Sequence, residues 1–284
     1  MHLYFVRRSQ LAALVSVFIL FIQCLVVWLG EPSTPANTDG VKLPILMYHQ
    51  VLKTPQFLGA YVVSPQELEK DFQYLKEKGY TAVSVREVID FVNEGAPLPE
   101  KPIMITFDDG HLSFNEYVLP LLEEYDLRAV LSVVGAYTDE YTENQDRHVT
   151  YAYLNWQDLC NLEKSGRVDL GNHTYNLHQN GKRQGSMQRK GESDAEYQSM
   201  LKADLSKLQE AMEQHGLKEP LCYTYPFGFI SKSSQRVIEE LGFQMSLGCA
   251  EGVNRLYADP ACLFELKRYN RPHGKNARTI LEGK

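Results

Sequence analysis

Residues 103–110 read IMITFDDG, a run of apolar and β-favouring residues that passes without a spacer into two carboxylates and a glycine. Ile, Thr and Phe favour extended backbone, and the DDG triplet stops the strand. Neighbouring side chains of a strand point to opposite faces, but a turn at Gly110 can bring Asp108 and Asp109 to one rim. Adjacent carboxylates repel, so a positive group is expected close by.

The same pattern repeats on both sides. Further strands are read at 44–48 (PILMY), 81–84, 129–134, 168–170, 222–225, 244–247 and 263–268. Helices are read between them. Ser64 with Glu67, Ser84 with Glu87 and Ser193 with Glu196 have capping-box spacing, and Pro65 suits a first helical turn. Leu68, Phe72 and Leu75 follow at helical spacing, and further helices are read at 117–124, 155–164 and 233–241. Seven or eight strand–helix units in order imply parallel strands with helical crossovers. About 240 residues from Val41 onward are enough for one full core. The expected fold class is α/β, a distorted (β/α) barrel of about seven strands preceded by a single N-terminal transmembrane helix. Chemistry in such barrels sits at the carboxyl ends of the strands.

Two further strand ends fit that expectation. Residues 169–178 read DLGNHTYNLH, with His173 just after a strand and His178 five residues later. Two imidazoles this close on a loop can chelate one divalent ion. With one carboxylate they leave coordination positions open for water or substrate. Residues 223–228 read YTYPFG, where Pro226, Phe227 and Gly228 make a tight turn with an aromatic at its rim. Taken singly, each has an ordinary structural reading: a cap or turn, a pair of surface histidines, a rigid corner.

Taken in order, TFDDG, the HTxxxH segment and YPFG resemble the polysaccharide deacetylase family, also called carbohydrate esterase family 4 or the NodB-homology domain. PILMYHQV (44–51) and NWQDLCNLEKSGRVDLGNHTYNLH (155–178) resemble its poly-N-acetylglucosamine deacetylase branch. The resemblance covers about residues 43–273. It implies metal-dependent hydrolysis of N-acetyl groups on a cell-surface or extracellular polysaccharide that contains N-acetylglucosamine. It implies Asp109, His173 and His178 as metal ligands, Asp108 as the base, and Phe227 as the residue whose backbone N–H helps hold the oxyanion. His273, in RYNRPHG, is the expected catalytic acid, with His49 at the rim after the first strand as the other candidate. The ion expected is divalent, zinc first, with cobalt, nickel or iron as alternatives. One family feature is missing: Thr224 stands where the third motif carries an Arg that pairs with the base. Arg268, at the end of the last expected strand, is the candidate to supply that charge. Tyr175 and Tyr225, with Phe227, are expected at the substrate, because aromatic rings stack on pyranose faces.

Two other functions stay open: an O-acetyl carbohydrate esterase using the same site, and a non-catalytic, membrane-anchored glycan-binding domain, for which the missing Arg speaks. The segment 179–193 carries Lys182, Arg183, Arg189 and Lys190 and reads as a solvated loop or a grip on an anionic polymer.

The 284 residues include 29 Lys and Arg against 36 Asp and Glu, a formal net charge of −7. That balance speaks against a nucleic-acid partner, which requires clustered positive charge. With 44% hydrophobic and 23% charged residues the chain is of globular type rather than largely disordered. Residues 11–29 carry no charge, and as a helix would span about 28 Å, the thickness of a bilayer core. Arg7 and Arg8 precede them, which favours a cytoplasmic N-terminus. The expected organisation is a signal anchor over 1–30, a flexible linker over 31–42 and the deacetylase-like domain over 43–284. The domain would lie outside the cell membrane, or be secreted if the segment is cleaved. The expected partners are the membrane and an N-acetylated polysaccharide, with a monomeric catalytic domain. Cys160, Cys222, Cys249 and Cys262 read equally as disulfide partners or buried thiols.

Overall fold

A computed structural model describes residues 40–283; the expected anchor and residues 31–39 of the expected linker lie outside the described residues. The strands are β1 (Val41–Leu43), β2 (Ile45–Tyr48), β3 (Gln50–Val51), β4 (Val62–Val63), β5 (Thr81–Ala82), β6 (Pro102–Phe107), β7 (Ala129–Val133), β8 (Val168–Asn172), β9 (Cys222–Thr224), β10 (Met245–Leu247), β11 (Asn254–Leu256) and β12 (Tyr269–Asn270). The helices are α1 (Pro65–Glu77), α2 (Val85–Glu94), α3 (Leu119–Glu124), α4 (Gly135–Glu143), α5 (Trp156–Lys164), α6 (Asp194–Gln214), α7 (Ser234–Glu240) and α8 (Ala277–Glu282).

The main sheet runs β10-β9-β8-β7-β6-β2-β12, with β5 added to the start of β6. Every pair along it is parallel. Such strands are covered on both faces and so read as continuous apolar runs; all six residues of β6 are buried. The sheet is curled, and one short segment spans its two edges. Leu266 bridges Leu247 of β10 in parallel, and four residues later β12 has paired with Leu46 and Met47 of β2. This agrees with the barrel expected from the strand–helix alternation.

The helix starts follow the sequence closely. Ser64, Ser84 and Ser193 each accept the backbone N–H of a Glu three residues on, and that Glu reaches back to the cap. Asn155 and Asp158 form a fourth such box at α5. Each cap satisfies orphan N–H groups and contributes about 1 kcal/mol.

Two expected boundaries are corrected. Val41 and Lys42 are not linker: they belong to β1, paired antiparallel with Leu256 and Arg255 of β11, and Val41 packs against the apolar cluster beneath α2. The expected strand 263–268 is not continuous. Pro260–Leu263 form a 3-10 turn and Glu265 takes φ 56°, which breaks the extended run before the single bridge at Leu266. The described cysteines, Cys160, Cys222, Cys249 and Cys262, are free thiols. Among the described residues no helix is long and apolar enough to cross a membrane.

Three strand ends share one backbone device. The residue that turns the chain lies in the left-handed region: Asp109 (φ 74°) after β6, Thr174 (φ 76°) after β8 and Phe227 (φ 58°) after β9. Asp109 is followed by Gly110 at φ 81°, where a Cβ would sit 3.1 Å from Val133 Cγ1, so a side chain there would be both strained and crowded. Thr174 is held by its N–H, which donates to Asn172 Oδ1 at 2.8 Å.

Candidate active site

Asp108 extends β6 toward the rim and is buried. The positive group that its neighbouring carboxylate calls for is Arg268, which is fully buried beside it. Arg268 Nη1 and Nη2 donate to the two oxygens of Asp108, each at 2.8 Å, while its Nε donates to the Gly248 carbonyl at 2.8 Å. Burial alone would raise the Asp108 pKa, but the Arg268 guanidinium holds it below the ordinary value. The planar fork thus keeps Asp108 ionised and fixes its orientation.

Asp109 faces the other way. Its Oδ1 lies 3.5 Å from His173 Nε2 and 3.2 Å from His178 Nε2. That oxygen is buried and has no hydrogen-bond partner. The three groups offer ligand atoms that all lie within 4.8 Å of one another. His173 Nδ1 sits 2.8 Å from the Thr224 carbonyl, which fixes the proton on Nδ1 and leaves the Nε2 lone pair facing Asp109. Burial and the nearby His173 push the His178 imidazole down to about 4, so it is neutral and able to ligate at neutral pH. For His173, burial works downward, but the Asp109 carboxylate raises its pKa. Burial opposes the charge on Asp109, but the neighbouring His111 and His173 rings hold its carboxyl well below the ordinary carboxylate range. An orphaned buried carboxylate oxygen between two oriented imidazoles fits a divalent cation with coordination positions left open.

These groups line one cleft of about 570 Å³ together with His49, Tyr61, His111 and Phe227. Phe227 is 41% exposed and stacks on His178 with ring centroids 4.5 Å apart. His49 Nε2 is 3.9 Å from Asp108 Oδ2, and its ring meets Tyr61 edge-on at 4.8 Å. Burial lowers the His49 pKa against the pull of Asp108 and Asp109.

Asp108, Asp109, His173, His178, Phe227, Arg268 and His49 are therefore brought together. Three expected site residues are not, which corrects their assignment. His273 lies across α1: its Nδ1 is 2.9 Å from Glu67, and it does not line the cleft. Tyr225 is fully buried with its hydroxyl on Ser234 at 2.9 Å, because its strand position points into the core between α6 and α7. Tyr175 donates its hydroxyl to Asp139 and carries Lys207 over its ring, and it does not line the cleft. Among the cleft residues not singled out as site residues from the sequence are His111, Tyr61 and Cys249. His111 had a signal, a titratable ring directly after the DDG turn; Tyr61 and Cys249 had none.

A family model described as polysaccharide deacetylase matches residues 95–246. Among curated proteins, the poly-β-1,6-N-acetyl-D-glucosamine N-deacetylase of Escherichia coli is 28% identical over 210 residues, covering 67% of this chain and 31% of that protein. The chain thus spans about a third of that relative's length. The protein of the same name from Staphylococcus epidermidis is 22% identical over 252 residues, covering 80% of this chain and 83% of its own. Among solved structures, a de-N-acetylase from Aggregatibacter actinomycetemcomitans shares the fold with a TM-score of 0.73 at 21% identity, covering 86% of this chain and 99% of its own. A Streptococcus pyogenes deacetylase does so at a TM-score of 0.68 and 20% identity, covering 86% and 98%. The matched stretch runs from before the strand bearing Asp108 and Asp109, through both histidines, to beyond the turn at Phe227, and the chain belongs to the polysaccharide deacetylase family.

Proposed function

We propose that this domain hydrolyses N-acetyl groups on an N-acetylglucosamine polysaccharide of the poly-N-acetylglucosamine type. One observation carries the reading: a buried carboxylate clamped by an arginine stands beside a second carboxylate that faces two imidazoles, all opening on one cleft. The names of the E. coli and S. epidermidis relatives support the polymer class.

Asp109, His173 and His178 would hold a divalent metal, which when bound supplies Lewis-acid polarisation and lowers the pKa of water toward about 7. Zinc, cobalt, nickel and iron all suit this donor set. Asp108 takes the proton of the attacking water, and Arg268 keeps it ionised and oriented for that step. The Phe227 backbone N–H is assigned to the developing oxyanion. His49, rather than His273, is assigned as the acid that protonates the leaving amine, because it lines the cleft within 3.9 Å of Asp108. The uncharged stretch 11–29 supports an anchor that holds the domain at the outer face of a membrane.

Acetate release from an N-acetylglucosamine oligomer by the purified chain with zinc tests the reading, with Asp108→Asn as the companion variant. Release by the parent alone supports it. Release from an O-acetyl ester but not from the N-acetyl oligomer would replace it with the esterase reading. No release and no bound metal would leave a glycan-binding module.

A further inference from the structure

The carboxylate of Asp109 divides its two oxygens between two sets of neighbours. Oδ1 faces His173 and His178; Oδ2 lies 3.6 Å from Nε2 of His111. We infer that His111 is a positioning residue, whose Nε2 faces Asp109 Oδ2 in a polar contact that holds the carboxylate and so aims Oδ1 at the metal site. The inference rests on the metal reading above and deepens it.

Four observations support it. First, His111 belongs to a paired segment rather than a free loop. Leu112 N–H donates to the Ala152 carbonyl at 2.9 Å, Leu154 N–H donates to the Gly110 carbonyl at 2.8 Å, and His111 bridges Tyr153 between them. Second, its ring is fixed by stacking on Tyr153, centroids 4.6 Å apart and 22° between planes. Tyr153 is packed in turn against Tyr137 at 4.5 Å and Tyr141 at 5.5 Å. Third, the left-handed pair Asp109 and Gly110 folds the chain back, which lets a side chain two residues on meet the carboxylate. Fourth, His111 Nδ1 is buried and has no partner. A proton there would be a buried donor with nothing to accept it, whereas a bare Nδ1 is the cheaper state. The favoured tautomer therefore carries its proton on Nε2, the nitrogen that faces Asp109.

His111 is not itself a ligand, since the cluster of mutually close ligand atoms comprises Asp109, His173 and His178 alone among the described residues. It acts on the ligand. Partners of this kind change metal affinity about 10–100-fold.

Two substitutions separate positioning from packing. His111→Phe keeps a flat ring to stack on Tyr153 but loses the donor. His111→Gln keeps an N–H near the position of Nε2 but loses the stack. Zinc affinity, measured on the purified chain by competition with a chelator, is expected to fall about 10–100-fold in His111→Phe and to stay close to the parent in His111→Gln. The reverse order, or parent affinity in His111→Phe, would overturn the inference while leaving the metal reading intact. Absence of zinc binding by the parent would overturn both. A second readout needs no variant: ring nitrogen NMR of the parent is expected to find the His111 proton on Nε2, and a proton on Nδ1 would also overturn it.

Discussion

Asp108 and Arg268 stand 160 residues apart in the chain and side by side in the fold, with each guanidinium Nη 2.8 Å from its own carboxylate oxygen. Both are buried, so each makes the other tolerable. Arg268→Leu leaves a buried carboxylate without its cation. A stability loss of about 3–5 kcal/mol is expected, read from denaturant unfolding. Arg268→Lys keeps the charge but not the fork, so it is expected to recover stability in part while turnover stays well below the parent. Parent turnover in Arg268→Lys would mean that orientation of Asp108 does not matter.

Adjacent carboxylates are expected to separate by role. Asp108→Asn should keep bound zinc and lose turnover by about 10²–10⁴-fold. His173→Ala and Asp109→Ala should lose metal as well. Zinc content beside acetate release on the same preparations checks this, and turnover retained in Asp108→Asn would exclude it as the base.

The two histidines considered as acid are expected to part completely. His49→Ala should lower turnover by about 10²–10⁴-fold, since it lines the cleft beside Asp108. His273→Ala should leave turnover at the parent level, because its ring rests on Glu67 instead. Steady-state rates on one N-acetyl oligomer decide between them.

Glu67 gives an acid-dependent contribution to stability. Burial works against its charge, but N–H donors from Gly274 and Ser64, together with His273, hold its carboxyl at about 2. Its folded pKa lies below its ordinary value near 4.5, so the contribution is present above that value and is lost as pH falls through about 2. The difference in thermal midpoint between parent and Glu67→Gln is expected to be widest at neutral pH and to close over that acid window. A difference that stays constant down to pH about 2 would mean the carboxylate contributes by shape alone.

What could be read from the sequence was mostly local. Ser64 and Glu67, or Ser84 and Glu87, find each other within one helical turn, so their spacing announces the cap. Asp108 and Asp109 follow their strand directly, and His173 and His178 share one loop. Side-chain direction was harder. Tyr175 and Tyr225 lie within a few residues of cleft groups yet turn to Asp139 and Ser234, because proximity along a strand end says nothing about which face a ring takes. Position in the chain misled in the same way for His273, which pairs with the Glu67 carboxylate of α1. Tyr61 arrives from a connection between two-residue strands with no periodicity to read. The left-handed turn of Glu265 inside an apolar run could not be foreseen either, since nothing in its residue type demands it.

The segment that spans the two edges of the sheet also carries the only cation on Asp108 described at hydrogen-bond distance. Leu266 joins β10, Tyr269 joins β2, and Arg268 between them points inward to the carboxylate. Docking of residues 266–270 is therefore one event with two results. A chain that emerges from synthesis with residues up to β10 folded holds both aspartates and both histidines in sequence, but Asp108 is uncompensated and the sheet still has two free edges. The segment that joins the two edges of the sheet is thus also the one that brings the counter-charge to Asp108.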